Sequence, residues 1–164
     1  MKKQVALFAM ILFCTSALAI KPFSLPWKNN PQPDAIYNMA DHPNGIFVME
    51  FFANFCGPCN MNAANVDELA YDYKDEARVQ VLDTALDSDE NEIKTWIAKH
   101  NPNHPVVKDV NREIWRQVGG QYIPTMIVTD CHGTIQFQYT GTWGESIKQQ
   151  IRSVIDGLLQ ENCE

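Results

Sequence analysis

Gly45-Ile46-Phe47-Val48-Met49-Glu50-Phe51-Phe52-Ala53-Asn54-Phe55-Cys56-Gly57-Pro58-Cys59 is an apolar run that ends in two cysteines two residues apart. Ile46 to Phe52 is too short for a helix and, Glu50 apart, apolar throughout, which predicts a strand buried on both faces. From Pro58 to residue 76, apolar or small side chains recur at helical spacing (Met61, Ala64, Leu69, Ala70, Tyr73). Proline is tolerated near a helix start, where its missing N–H costs nothing. Cys56 therefore stands at a helix N-terminus, where unpaired N–H groups and the macrodipole favour a thiolate over a thiol. Cys59 lies one turn further on the same face and can close a disulfide with it. The pair is built to cycle between dithiol and disulfide.

Two other readings of the pair are weaker. Half of a zinc site would need a second C-x-x-C or H-x₃₋₅-H at ribbon or finger spacing. His100 and His104 have that internal spacing, but Pro102 and Pro105 break any helix that would align them, and they lie about forty residues from Cys59. A purely structural disulfide would close too short a loop to stabilise much.

The 164 residues, 45 % apolar, fit one domain with a real core. The first nineteen read as a signal peptide: Lys2-Lys3, an apolar Val5 to Phe13, then Ala17-Leu18-Ala19 as a small-x-small cleavage site before Ile20. The apolar stretch falls short of the ~20 residues of a spanning helix, so a retained membrane anchor is the weaker reading. Phe13 before Cys14 also argues against a lipoprotein signal. Cleavage would leave Cys56, Cys59, Cys131 and Cys163, and would take the net charge from −7 to −9. Such acidity argues against nucleic acid or anionic membrane surfaces as partners. Export places the cysteines in an oxidising space, where disulfides persist.

Residues 20–33, with Pro22, Pro26, Pro31 and Pro33, read as an extended lead-in or tether. A domain at 34–164 then follows. It is expected to hold a short helix at Asp34 to Ala40, the strand and helix already described, and a second strand at Arg78 to Leu86. A helix at Glu90 to Lys99 capped by Asp87-Ser88-Asp89, an extended segment at His104 to Val107 and a helix at Asp109 to Val118 come next. Thr125 to Thr129 and Thr134 to Thr140 form a hairpin, and Glu145 to Leu159 an amphipathic helix. This order predicts an α/β fold, a mixed sheet covered by helices on both faces.

Phe55-Cys56-Gly57-Pro58-Cys59, Ile123-Pro124-Thr125 and Gly141 together resemble the thioredoxin superfamily. Phe55 replaces the usual Trp. Similarity covers about residues 34–160, and the α-β addition at about 88–107 resembles the insertion of the exported TlpA/ResA-type branch. The resemblance implies a thioredoxin-like fold with Cys56 as exposed nucleophile and Cys59 as the buried resolving thiol. It implies that Pro124 is a cis-proline opposite the thiols, leaving the backbone of Ile123 to pair with an extended substrate. Phe55, Gly57, Pro58, Ile123 and Thr125 are the expected substrate contacts, and Tyr122 is a weaker candidate for the same groove. Glu50 stands where the family has a buried acid, which could exchange a proton with Cys59; a solvent-facing Glu50 at a strand end is the alternative. The family's lysine on the neighbouring strand has no counterpart in Val81-Leu82-Asp83-Thr84-Ala85. Trp96, Trp115 and Trp143 are expected only to pack.

In that fold the strand after Pro124 runs ~20 Å to the opposite pole, and the terminal helix later runs ~22 Å the same way. Cys131 and Cys163 thus end at one pole, predicting a structural disulfide. Two free thiols are the alternative, and a metal site there lacks a fourth ligand.

The reading that emerges is an exported, monomeric thiol–disulfide oxidoreductase of the bacterial periplasm, needing no cofactor and no metal. Its partners would be disulfide-bearing client proteins and a membrane electron donor or acceptor for thiols. A copper metallochaperone using the same cysteines is the alternative, disfavoured because the four histidines lie outside the motif. Peroxidase chemistry would want a lone peroxidatic cysteine with Thr and Arg nearby.

Overall fold

A computed structural model describes residues 18–87 and 89–163. The signal-peptide reading therefore falls almost wholly outside the described residues, as does Ser88 in the expected cap. β1 (Ser24–Pro26) pairs antiparallel with β2 (Ile36–Asn38) in a small separate ladder. The main sheet runs in the order β5-β4-β3-β6-β7, with β3 (Ile46–Phe52) at its centre. β4 (Val79–Ala85) and β5 (Val106–Lys108) are parallel to it in turn, whereas β6 (Thr125–Thr129) and β7 (Ile135–Thr140) form the antiparallel half. This is the mixed sheet expected from the element order, and all seven residues of β3 are buried.

Strand alternation sorts the core. Ile46 and Val48 face α1 (Gly57–Asp72) and α4 (Glu145–Leu159), meeting Val66, Leu69, Ile151 and Ile155. Phe52, on the same face, meets Ile93 and Trp96 of α2 (Glu90–His100). Phe47, Met49 and Phe51 face the other way, onto Ile114 and Trp115 of α3 (Glu113–Gln117) and onto Leu25 and Tyr37 of the small ladder. Asp89 caps α2, accepting from the Asn91 N–H at 2.9 Å.

Three local expectations change. The helix foreseen at Asp34 to Ala40 is instead β2 and a single 3₁₀ turn, because Tyr37 is buried opposite Leu25 while Ile36 faces solvent, a period of two. The lead-in is extended but does not act as a tether. Its Lys28 N–H donates to Val106 at 2.7 Å, and the Ile20 N–H donates at 2.9 Å to Gly133, where a Cβ would lie 2.6 Å from the Ile20 carbonyl oxygen. The helix at Asp109 to Val118 breaks, with Asn111 and Arg112 at φ 57° and 55°. The Asp109 carboxylate reaches past them to accept from the N–H groups of Ile114 and Trp115 (3.1 and 2.8 Å), capping α3 from upstream. Within α1, Met61 and Ala64 are exposed, and the buried stripe is Cys59, Asn62, Ala63, Val66 and Leu69.

Beyond the sheet's far end, Cys131 in the β6–β7 turn is bonded to Cys163 after α4, their Cα atoms 6.1 Å apart. Arg78 donates to the carbonyls of Leu158, Leu159 and Glu161, satisfying the C-terminal end of that helix.

Candidate active site

β3 ends at Phe52, and the chain turns through Ala53 to Phe55 into α1, whose N-cap is Cys56. Cys56 and Cys59 are joined by a disulfide with Cα atoms 5.2 Å apart. The Cys59 N–H points at Cys56 Sγ, 3.1 Å away, so a thiolate formed at Cys56 inherits a hydrogen bond as well as the helix dipole. Cys59 is fully buried and Cys56 only 7 % exposed. The expectation of an exposed Cys56 is thus corrected. Phe52, Ala63, Ile93 and Trp96 wall the pair in, yet Cys56 remains the sulfur nearer solvent. Gly57 and Pro58 above it are exposed, and Phe55 projects with 80 % of its surface open.

The Ile123–Pro124 peptide bond is cis. Ile123 packs against the cluster that holds both cysteines, which sets this loop beside the disulfide. Tyr122 is well exposed next to it. Thr125 is buried: its hydroxyl donates to the Tyr122 carbonyl at 2.7 Å and meets Thr140 Oγ1 at 2.8 Å. It ties the loop down and offers no surface to a substrate, which corrects its place among the contacts.

Glu50 is 1 % exposed, which excludes the solvent-facing alternative. Burial pushes its carboxyl up to about 8, with the nearby Asp83 adding to the rise. Trp143 Nε1 and Asn62 Nδ2 both donate to Glu50 Oε2, at 2.8 and 3.3 Å. Trp143 therefore does more than pack, and so does Trp96, whose Nε1 donates to Asp83 Oδ2 at 3.0 Å. Asn62 lies three residues after Cys59 and links the acid to the helix that carries the thiols.

The cation near this acid comes from a residue outside the motif pattern. His104, 6 % exposed, places Nε2 3.4 Å from Asp83 Oδ2 and Nδ1 3.1 Å from Asp67 Oδ1. Burial alone would lower its imidazole, but the carboxylates of Asp83 and Asp67 outweigh it and raise the group to about 9. A second brace runs from α2 to the cysteine turn. Asn60 Nδ2 donates to the carbonyls of Asn54 and Cys56 (3.0 and 2.8 Å), while its Oδ1 accepts from Lys99 Nζ at 2.6 Å and meets His100 Nε2 at 2.8 Å. Asn54 and Asn60 flank the C-x-x-C, a position that could have marked them in advance.

A model described as the AhpC/TSA family matches residues 19–138. The chain belongs to the AhpC/TSA family. Among solved structures, a thiol-disulfide oxidoreductase from Bacteroides fragilis superposes with a TM-score of 0.70 at 22 % identity, covering 83 % of this chain and 98 % of that one. The fold is thioredoxin-like. The chain is 22 % identical to the thiol-disulfide oxidoreductase ResA of Halalkalibacterium halodurans over 111 residues, 68 % of this chain and 62 % of that protein. It is 25 % identical to NHL repeat-containing protein 2 of Homo sapiens over 125 residues, 73 % of this chain but 17 % of that much longer protein. The likeness to the TlpA/ResA-type branch of the thioredoxin superfamily holds. Cys56 and Cys59 of this family member sit in one turn, bonded to each other.

These buried groups predict how stability responds to pH. Folded Glu50 keeps its proton up to about 8, while an ordinary glutamate loses it near 4.5. Folded His104 keeps its proton up to about 9, against 6.5 for an ordinary histidine. In both cases the folded state binds the extra proton, so stability falls as pH rises through each window. The melting temperature of the oxidised protein should drop by on the order of 5–10 °C between pH 6.5 and 9. A flat or rising profile over that range would contradict the buried assignment of both groups.

Proposed function

We propose that the protein is an exported thiol–disulfide oxidoreductase that reduces disulfides of client proteins through Cys56 and Cys59. The observation that carries this is the disulfide at the N-terminus of α1, its outer sulfur receiving a backbone N–H and its inner sulfur fully buried.

In the forward half-reaction the Cys56 thiolate attacks a client sulfur. The Cys56–client bond forms as the client disulfide breaks, and one client sulfur leaves as thiolate. Cys59 gives up its proton to the Glu50 carboxylate and attacks Cys56 Sγ, closing the protein disulfide and releasing the second client thiolate. Two electrons pass to the client. Recharging runs the steps in reverse: a donor thiolate attacks Cys56, Cys59 leaves as thiolate, and the Glu50 carboxyl returns the proton. The exposed Phe55, Gly57 and Pro58 and the Ile123–Pro124 loop line the approach to the sulfur. Substrate recognition is therefore by backbone pairing and apolar contact.

The Lys2-Lys3, apolar run and Ala17-Leu18-Ala19 pattern supports export, with the bacterial periplasm as the address, and no helix among the described residues is long and apolar enough to cross a membrane. An oxidising space has no general thiol pool to recharge Cys56–Cys59, so electrons would come from a membrane partner. Redox titration of the Cys56–Cys59 pair tests the direction of flow, because a reductase must hold its electrons at a lower potential than its clients.

A further inference from the structure

Strand register sets Glu50 of β3 opposite Asp83 of β4, each 1 % exposed. Glu50 Oε1 and Asp83 Oδ1 are both buried without a hydrogen-bond partner. Two neighbouring carboxyl groups in such a place repel strongly when both are charged, so one of them holds a proton. The surroundings are asymmetric. Asp83 faces the imidazole of His104, whereas Glu50 receives only the neutral donors of Trp143 and Asn62, both on Oε2. Oε1 is the Glu50 atom left free to carry the proton.

We infer that His104 is a positioning residue for thiol–disulfide exchange: paired with Asp83, its charge offsets the carboxyl pair and sets how readily Glu50 passes a proton to and from Cys59. The inference rests on the Cys56–Cys59 cycle proposed above. Glu50 shares a strand face with Phe52, which packs against both cysteines, and Asn62 joins Glu50 to the first turns of α1. The proton crosses directly or through one water. When Cys59 leaves as thiolate it takes this proton, and the new Glu50 carboxylate is balanced by the imidazolium across Asp83. When Cys59 attacks, the same proton returns to Glu50.

The charged groups facing this cluster are Asp83 on β4, Asp67 on α1 and Glu50 on β3, and the same two aspartates also act on His100 of α2. A surface cavity of about 280 Å³ is lined by Tyr73, Val81, Asn103, His104 and Pro105.

The test follows the resolving step after reduced protein is mixed with oxidised glutathione, from pH 6 to 10. In the wild type the rate of glutathione release should rise through a midpoint near that of Glu50, about 8. His104→Asn removes the balancing charge and should move the midpoint up by about one pH unit, slowing release roughly tenfold at pH 7. Asp83→Asn removes the competing carboxylate and should move it down. Opposite displacements support the inference, since a merely structural disturbance would not change sign between the two variants. Midpoints that stay put, or move the same way, overturn it. A measurement without substitutions covers variants that fail to fold. The His104 imidazole, followed by NMR in the wild type, should titrate at a different pH in the oxidised and reduced states, and identical midpoints would also overturn the inference. If the wild type forms no mixed disulfide with glutathione, the exchange cycle itself is overturned, and the role of His104 with it.

Discussion

A Cys59→Ala variant is expected to retain its clients as stable mixed disulfides on Cys56, where the wild type releases them. Among the described residues, the inner sulfur is the group placed to resolve that bond, being bonded to Cys56 with Cα atoms 5.2 Å apart and sealed from solvent. Alanine deletes a sulfur from a cluster with Phe52, Ala63 and Trp96, a small loss of volume that the fold should tolerate. Cys56 keeps its place at the helix N-terminus and with it the Cys59-position backbone N–H, so the first attack survives. Non-reducing gels of cells expressing this variant should show client adducts that collapse with reductant. Adding Cys56→Ser should abolish all of them. Adducts that persist without Cys56, or none with it intact, would place the reacting sulfur elsewhere.

Replacing both Cys131 and Cys163 with alanine should lower stability by ~3 kcal/mol while leaving thiol–disulfide exchange unchanged. The bond closes a loop across a separation of 32 residues and fastens the chain end after α4 to the β6–β7 turn. Arg78 donates to three carbonyls around the end of α4 and to Cys163 Sγ, so loss of the bond also frees the groups that Arg78 holds. Removing both cysteines avoids stranding a thiol that could mispair with Cys56. Urea unfolding at fixed pH, with Cys56–Cys59 kept oxidised, checks the figure. A change below about 0.5 kcal/mol, or lost exchange activity, would contradict a purely structural bond.

Much of this molecule could be read from local pattern. A seven-residue apolar run ending in C-x-x-C gave the central strand, the helix start and the redox pair, because each depends on neighbours in sequence. The hairpin around Asp130-Cys131-His132-Gly133 and the amphipathic Glu145 to Leu159 were legible for the same reason. What escaped depends on contacts between distant segments. The Pro-rich lead-in carries no periodicity, yet it is held by Val106 and Gly133, more than seventy residues away. Asp109 caps α3 across two residues of positive φ, which no helical spacing reveals. Glu50 was recognisable as an acid in an apolar strand. Its surroundings were not, since Asp83, Trp143 and His104 converge on it only through strand register and packing. A missing lysine on β4 looked like an unbalanced site, whereas a histidine just before β5 supplies the charge from the next strand over.

The most direct test of the central claim is equilibrium redox titration of the Cys56–Cys59 pair at pH 7, followed by tryptophan fluorescence or alkylation mass. The account predicts one two-electron transition, with a slope of about 30 mV per tenfold change in buffer ratio, near −270 mV on the thioredoxin side of the scale. A transition near −120 mV would make the protein an oxidant, and none at all would leave Cys56–Cys59 a static bond; either contradicts a reductase.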